Sequence, residues 1–476
     1  MSGDYWKYQL FSKYLVLALV KMSKFDLDGT NRMKNHDENK IKVAEIFLKL
    51  NGLDSRFDII GFLGSGGNGS VCRVKDKKLG TDFALKYLIP KLKKNVDKKK
   101  RFCSEITALR MIKEKGLSGV IPIEEYSEDG LWYTMPVAQQ IDEYLKGKTF
   151  MDVVDAVISL ADTLDKLHSQ GITHRDIKPE NVFYYNELVV LGDFGLVSYP
   201  GKLNVTASNR KLGAIYTIAP EMLRHPESAD GKKADVYSLA KTLWILLSDE
   251  KKGFDGSYDY LNKKISLRNH LKNKGERKSV HLVELEQLLK KATEYEPEKR
   301  PTMAEFRDLL KDFVAILNNR EQSLDSDWKF LGELLFNQFI PSSAQWNDPA
   351  VICRVLDAIC TSPAIKQMLT SEGVELSLDG VSLGRNMNLS LKISGSSISV
   401  QPASMSFQQF DDFHLNYFLL DVKKTPKSKG RRFNFSGPFV FVLKTAPFKG
   451  FYKDNKKISP TDLSDKFLNY VKKMNG

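Results

Sequence analysis

The residues best equipped for chemistry lie in one short stretch, His174-Arg175-Asp176-Ile177-Lys178-Pro179-Glu180-Asn181, with Asp193-Phe194-Gly195 beginning twelve residues beyond Asn181. The stretch supplies a carboxylate able to orient a hydroxyl, a lysine two positions later, and two residues able to ligate magnesium. Together these are most of what transfer of a phosphoryl group requires. A cradle for nucleotide phosphates stands upstream, in Leu63-Gly64-Ser65-Gly66-Gly67-Asn68-Gly69-Ser70-Val71. Glycine at such a turn lets backbone amides close on phosphate where a side chain would collide. The same pattern fits a dinucleotide-binding turn, but that alternative needs a helix next and an acidic residue about twenty positions on. Here a strand-like segment follows instead, and Lys86, in Phe83-Ala84-Leu85-Lys86, lies seventeen residues after Gly69.

In order and spacing these motifs resemble a eukaryotic-type protein kinase, and the resemblance implies roles. Asp176 is the implied catalytic base, Lys178 the contact to the transferred phosphate, and Asn181 and Asp193 the metal ligands. Phe194 is the packed residue whose position separates active from inactive states. Lys86 is implied to touch the α- and β-phosphates and to pair with a helix glutamate. Glu105 is the candidate, because Phe102, Ile106, Leu109 and Ile112 recur at helical spacing and leave Glu105 beside the buried face. The implied ATP pocket runs through Leu63, Gly64, Ser65, Gly66, Gly67, Asn68, Gly69, Ser70 and Val71. It adds Ala84, Lys86, Glu105, Met135 as gatekeeper, Val137 toward the hinge, and Phe183 below the adenine. The cofactors implied are ATP with Mg²⁺, or Mn²⁺. Glu221 is expected to pair with Arg300 and Asp235 to brace the catalytic loop, all three as structural residues.

Lys178 matches the serine/threonine branch of the family, so the implied acceptors are Ser and Thr hydroxyls of proteins. Two departures stand out. Ala214 follows Gly213 where the branch usually has a threonine, and Thr217 stands where tyrosine is common. The first implies weaker activity or looser acceptor choice. Arg175 beside Asp176 implies an activation segment ordered by phosphate, since a phosphoryl group of charge about −1.5 to −2 pairs well with arginine. Thr206 and Ser208 are the implied phosphosites, with Lys202, Arg210 and Lys211 nearby.

The elements that must hold these residues give an α+β fold. A bilobal kinase domain, with a small β-rich lobe and a large helical lobe, is expected over residues 53–318. A helical extension covers 1–52 and an α+β accessory domain 325–476. In the extension, residues 14–20 are apolar but far short of the roughly 20 residues a membrane helix needs, residues 25–40 read as loose, and Ile41–Leu50 reads as a helix. In the accessory domain, Trp328–Phe339 and Pro349–Leu369 read as helices. The period then changes to two at Leu376 and Leu378; Leu389, Leu391 and Ile393; Ile398 and Val400; Phe433 and Phe435; Phe439, Phe441 and Leu443. A last helix is expected from Pro460 to Met474, with Ser459 as its N-cap.

The 476 residues are 42% hydrophobic and 28% charged, with a formal net charge of +13. That balance suits globular domains and argues against wholesale disorder. Two basic runs, Lys91–Arg101 and Lys423–Arg432, read first as solvated loops that serve solubility; as binding surfaces they suit an acidic protein partner better than nucleic acid, because Phe433 and Phe435 alternate as core residues would. Cys72, Cys103, Cys353 and Cys360 lack metal-ligand spacing and suit reduced thiols in a cytoplasm. The reading is therefore a serine/threonine protein kinase, autophosphorylating and soluble, in signalling or as an effector. The alternative is a low-activity scaffold whose C-terminal domain binds a partner or nucleic acid. Intact Lys86, Asp176, Asn181 and Asp193 speak against that alternative, and Ala214 speaks for it.

Overall fold

The computed structural model describes residues 32–444 apart from 67–68, 90–95, 202–215, 249, 251, 273–280, 337–339, 363–366, 370–374, 394–395, 411–414 and 425–438, together with 452–453 and 456–457. The fold is mixed α+β. It divides into two compact units: residues up to 140 with 183–211, and residues 141–182 with 212 onward.

In the first unit, β1 (Phe57–Ser65), β2 (Ser70–Asp76), β3 (Asp82–Tyr87) and β4 (Trp132–Pro136) form an antiparallel sheet in that order. Alternation sets its faces: in β2, Ser70, Cys72, Val74 and Asp76 are buried while Arg73 and Lys75 are exposed. Helix α1 (Arg32–Leu50) buries Ala44, Phe47 and Leu48, and the Phe47 ring lies 4.6 Å from that of Tyr87. It begins nine residues before the expected Ile41, so residues 32–40 are helical rather than loose. That stretch is polar, but Arg, Met, Lys and Glu are good helix formers. Helix α2 (Val96–Glu114) buries Phe102, Glu105, Ile106, Leu109 and Ile112. A small sheet of β5 (Gln139–Gln140), β6 (Val182–Tyr185) and β7 (Leu188–Leu191) leads into the Asp193 segment.

In the second unit, α3 (Ile141–Tyr144) precedes α4 (Phe150–Ser169), which starts at a reciprocal capping box between Thr149 and Asp152. After α5 (Pro220–Arg224), helix α6 (Gly231–Leu247) is capped by Asp230 and buried nearly all round. A helix without a wet face belongs at the centre of its unit. Around it stand α7 (Leu267–His270), α8 (Val283–Ala292) and α9 (Met303–Asn318). Helix α10 (Arg320–Phe336) follows after Asn319, so a domain boundary at 325 falls inside a helix that starts eight residues before the expected Trp328.

The rest of the second unit is α11 (Pro349–Thr361), capped by Asp348, on a seven-stranded sheet. The sheet comprises β8 (Ser343–Trp346), β9 (Gln367–Leu369), β10 (Glu375–Leu383), β11 (Leu389–Ile393), β12 (Ser396–Phe410), β13 (Leu415–Lys424) and β14 (Phe439–Lys444), in the spatial order β11-β10-β9-β14-β13-β12-β8. Leu378, Leu389, Leu391, Ile393, Val400, Phe439 and Phe441 of the period-two pattern lie in one core with Trp328, Leu356, Phe407 and Phe418. The helix expected over 349–369 stops at Thr361, and Gln367–Leu369 is a strand. Pro363 explains the stop, because it removes an amide and disfavours helix in the residue before it. Phe433, Phe435 and the helix expected from Pro460 to Met474 lie outside the described residues.

This sheet domain is seated on the large helices through named contacts. His281 Nδ1 lies 2.8 Å from Asp327 Oδ1, the Tyr260 and Phe330 rings are 5.2 Å apart, and Lys263 Nζ reaches Asp357 Oδ2 at 2.8 Å. Among the described residues, no helix is long and apolar enough to cross a membrane. The four cysteines are free thiols.

Candidate active site

The first unit holds a buried charge site. Lys86 on β3 donates to Glu105 Oε1 on α2 at 2.6 Å and to Asp193 Oδ1 at 2.9 Å. Glu105 is fully buried and the Lys86 side chain is 7% exposed, whereas Asp193 is 39% exposed and faces water. Burial pulls the Lys86 ammonium down, but Asp193 and Glu105 reverse that effect and hold its pKa well above the ordinary lysine value. Burial raises the Glu105 carboxyl, and Lys86 opposes the shift. Met135 lies opposite Ala84 in the β3–β4 register, and Val71 lies opposite Lys86 between β2 and β3. A Cβ on Gly69 would sit 2.7 Å from the Tyr87 carbonyl oxygen, so packing requires glycine there, while at Gly64 and Gly66 a Cβ would meet nothing within 4 Å. Gly67 and Asn68 lie outside the described residues. Phe194 is fully buried, and a Cβ on Gly192 would come within 2.8 Å of the Phe183 ring.

The second unit holds the Asp176 loop. Lys178 Nζ donates to Asp176 Oδ2 at 2.8 Å, and Asn181 Nδ2 donates to the Asp176 carbonyl at 2.7 Å and to Oδ2 at 3.1 Å. The loop is held from beneath by Asp235, which is fully buried near the start of α6. Its Oδ2 accepts from His174 N at 2.9 Å and lies 2.9 Å from His168 Nε2, and its Oδ1 accepts from Arg175 N at 2.7 Å. Arg300 makes a two-pronged pair with Glu221, at 2.7 and 2.9 Å, with its own side chain fully buried. Arg175 and Asp193, one in each motif, both hold positive φ (68° and 55°), a costly backbone state for residues other than glycine.

Residues 57–311, more than half of the chain, match the family model described as the protein kinase domain. The chain belongs to that family. PknF of Mycobacterium tuberculosis, a serine/threonine-protein kinase, is 29% identical over 229 residues, covering 45% of this chain and 46% of PknF. PknJ of the same organism, of the same description, is 31% identical over 197 residues, 40% of this chain and 33% of PknJ. Serine/threonine-protein kinase PknD of Chlamydia trachomatis is 24% identical over 356 residues, 61% of this chain and 36% of PknD. The chain thus spans less than two thirds of the length of these relatives.

Within the kinase domain, each motif has its residues in contact. Lys86 joins Glu105 and Asp193 in the first unit, and Asp176, Lys178 and Asn181 join in the second. The Arg175 guanidinium contacts the Pro226 carbonyl and Met222 Sδ. Thr206, Ser208, Lys202, Arg210, Lys211, Gly213 and Ala214 lie outside the described residues. Sequence reasoning missed Tyr133, whose hydroxyl donates to Glu105 Oε1 at 3.0 Å, and His168, which meets Asp235. Tyr133 reads as one more apolar residue of a strand. Only the register that sets it opposite Lys86 marks it out.

Proposed function

We propose that this chain transfers the γ-phosphoryl group of ATP to serine and threonine hydroxyls of protein substrates. The observation that carries the reading is the buried Lys86 ammonium shared between a fully buried Glu105 and a half-exposed Asp193. The two carboxylates offset the desolvation of that cation, and a buried charge cluster so strongly perturbed marks a candidate functional site. Lys86 would bind the α- and β-phosphates while Glu105 fixes its direction. Gly64 and Gly66, which no packing contact requires, would let the backbone close over the phosphates. Asp176 would accept a hydrogen bond from the substrate hydroxyl and aim its oxygen at the γ-phosphorus. Lys178, on the same carboxylate, would offset charge on the transferred group. The amide nitrogen of Asn181 is committed to Asp176, which turns its carbonyl oxygen to other partners. That oxygen and the Asp193 carboxylate are hard donors of the type magnesium prefers. Magnesium, when bound, would neutralise phosphate charge.

The serine/threonine choice rests on Lys178 and on the three relatives' names. The sheet domain beyond Asn319, which has its own apolar core and a helix capped by Asp348, we assign to partner choice. Four free thiols suit a reducing compartment, for which we propose the cytoplasm.

The test is incubation of the full chain with Mg²⁺ and γ-labelled ATP, followed by phosphoamino-acid analysis. The expected product is phosphoserine or phosphothreonine, absent in Asp176→Ala. Label incorporated equally by Asp176→Ala would overturn the assignment.

A further inference from the structure

Glu105 is held by one oxygen. Both of its hydrogen bonds arrive at Oε1, from Lys86 at 2.6 Å and from the Tyr133 hydroxyl at 3.0 Å, and Oε2 has no hydrogen-bond partner among the described residues. A buried carboxylate with a single external donor would keep its direction by packing and that one bond alone, and a second donor on the same oxygen fixes it further. Tyr133 supplies the second donor, and three features give it that place. It lies directly opposite Lys86 in the β3–β4 ladder, so both side chains leave the sheet on one face, and the Lys86 ammonium is 5.9 Å from its ring centroid. Its ring packs on Phe102, with centroids 5.7 Å apart. Phe102 precedes Glu105 by three residues on α2, the spacing that puts both on one helix face. Tyr133 is 1% exposed, so no water competes for its hydroxyl.

We propose that Tyr133 is a positioning residue for nucleotide binding: its hydroxyl holds Glu105, and through Glu105 the Lys86 ammonium, in the orientation that meets ATP phosphate. The inference rests on the kinase reading and adds to it a residue outside the motifs. A purely structural alternative exists, in which Tyr133 only seats α2 on the sheet. The two alternatives differ in what removal of one oxygen does. Tyr133→Phe keeps the ring and its contact with Phe102, and deletes the donor alone.

The decisive experiment is a double-mutant cycle on the full chain, read as equilibrium affinity for a fluorescent ATP analogue with thermal melting in parallel. In the wild-type background Tyr133→Phe is expected to weaken nucleotide binding about fivefold, equal to about 1 kcal/mol. It should raise KM for ATP with little change in KM for a peptide substrate. In the Glu105→Leu background, which leaves no acceptor for the hydroxyl, the same change is expected to alter affinity by less than about twofold, because the carboxylate it positions is gone. Equal losses in both backgrounds, or losses that track melting temperature, would overturn the proposal and leave Tyr133 a packing residue. Unchanged affinity in the wild-type background would overturn it as well. Because affinity is read without turnover, a wild-type chain that binds ATP and transfers no phosphate refutes the kinase reading while this cycle still decides the role of Tyr133. A wild-type chain that binds no ATP overturns both.

Discussion

The Lys86 site and the Asp176 loop secure their charges by different means. In the first unit the ends of side chains hold one another: Lys86, Glu105, Asp193 and Tyr133 meet through four terminal groups carried on β3, α2, the Asp193 segment and β4. In the second unit a carboxylate holds backbone: Asp235 accepts from the amides of His174 and Arg175 and so fixes the peptide before Asp176. An amide neither titrates nor rotates away from its chain. A side-chain network does both, and it depends on α2 remaining seated. The first site can therefore rearrange without moving backbone, whereas the second is built into the path of the chain in its unit.

The sharpest way to break this contrast is to remove Asp235. Asp235→Ala strips one acceptor from two buried amides and from His168, and truncating one partner of a buried charged network typically costs about 3 to 5 kcal/mol. The expected result in chemical denaturation is a loss of that size, accompanied by loss of activity. An unchanged midpoint would mean that the loop holds itself.

His281 sharpens the contrast inside the second unit, because there a side-chain network joins the large helices to the sheet domain. Its Nδ1 meets Asp327, its Nε2 meets Glu284, and Ser362 Oγ donates to the other Asp327 oxygen at 2.9 Å. Burial pulls the imidazole pKa down, but the bonds to Asp327 and Glu284 outweigh it and raise it to about 9. The raised folded value means that the stabilisation is complete below an unfolded pKa of about 6.5 and is lost as pH rises through about 9. A gap of that width corresponds to about 3 kcal/mol. Denaturation of wild type against His281→Gln should show a difference of that order at pH 6 that closes by pH 10. A difference independent of pH would mean that the histidine is only filling space.

Legibility in the sequence followed the same division. Lys86, Asp176, Asn181 and Asp193 could be read because each sits at a fixed separation from its neighbours in a short motif, and Glu105 because helical spacing set the buried face beside it. Tyr133 could not be read, since nothing local separates a core tyrosine from one that donates to a carboxylate; the cross-strand register decides it. Strand β13 was missed because Tyr417, Phe418, Leu419 and Leu420 are apolar without alternation, although Phe418 and Leu420 are the buried pair. The helix misread beyond Thr361 came from following apolar spacing past Pro363, where a backbone rule outweighs periodicity.

We propose a division of labour, in which Lys86 binds nucleotide and Asp176 orients the acceptor hydroxyl. The most direct test measures ATP affinity and turnover together for Lys86→Ala and Asp176→Ala in the full chain. We predict that Lys86→Ala loses nucleotide affinity at least about tenfold, a change of about 1.4 kcal/mol, and loses turnover with it. Asp176→Ala is predicted to keep affinity within about threefold while turnover falls about a thousandfold, a barrier increase of about 4 kcal/mol. Loss of affinity in Asp176→Ala equal to that in Lys86→Ala, or turnover retained by Asp176→Ala, would contradict the account.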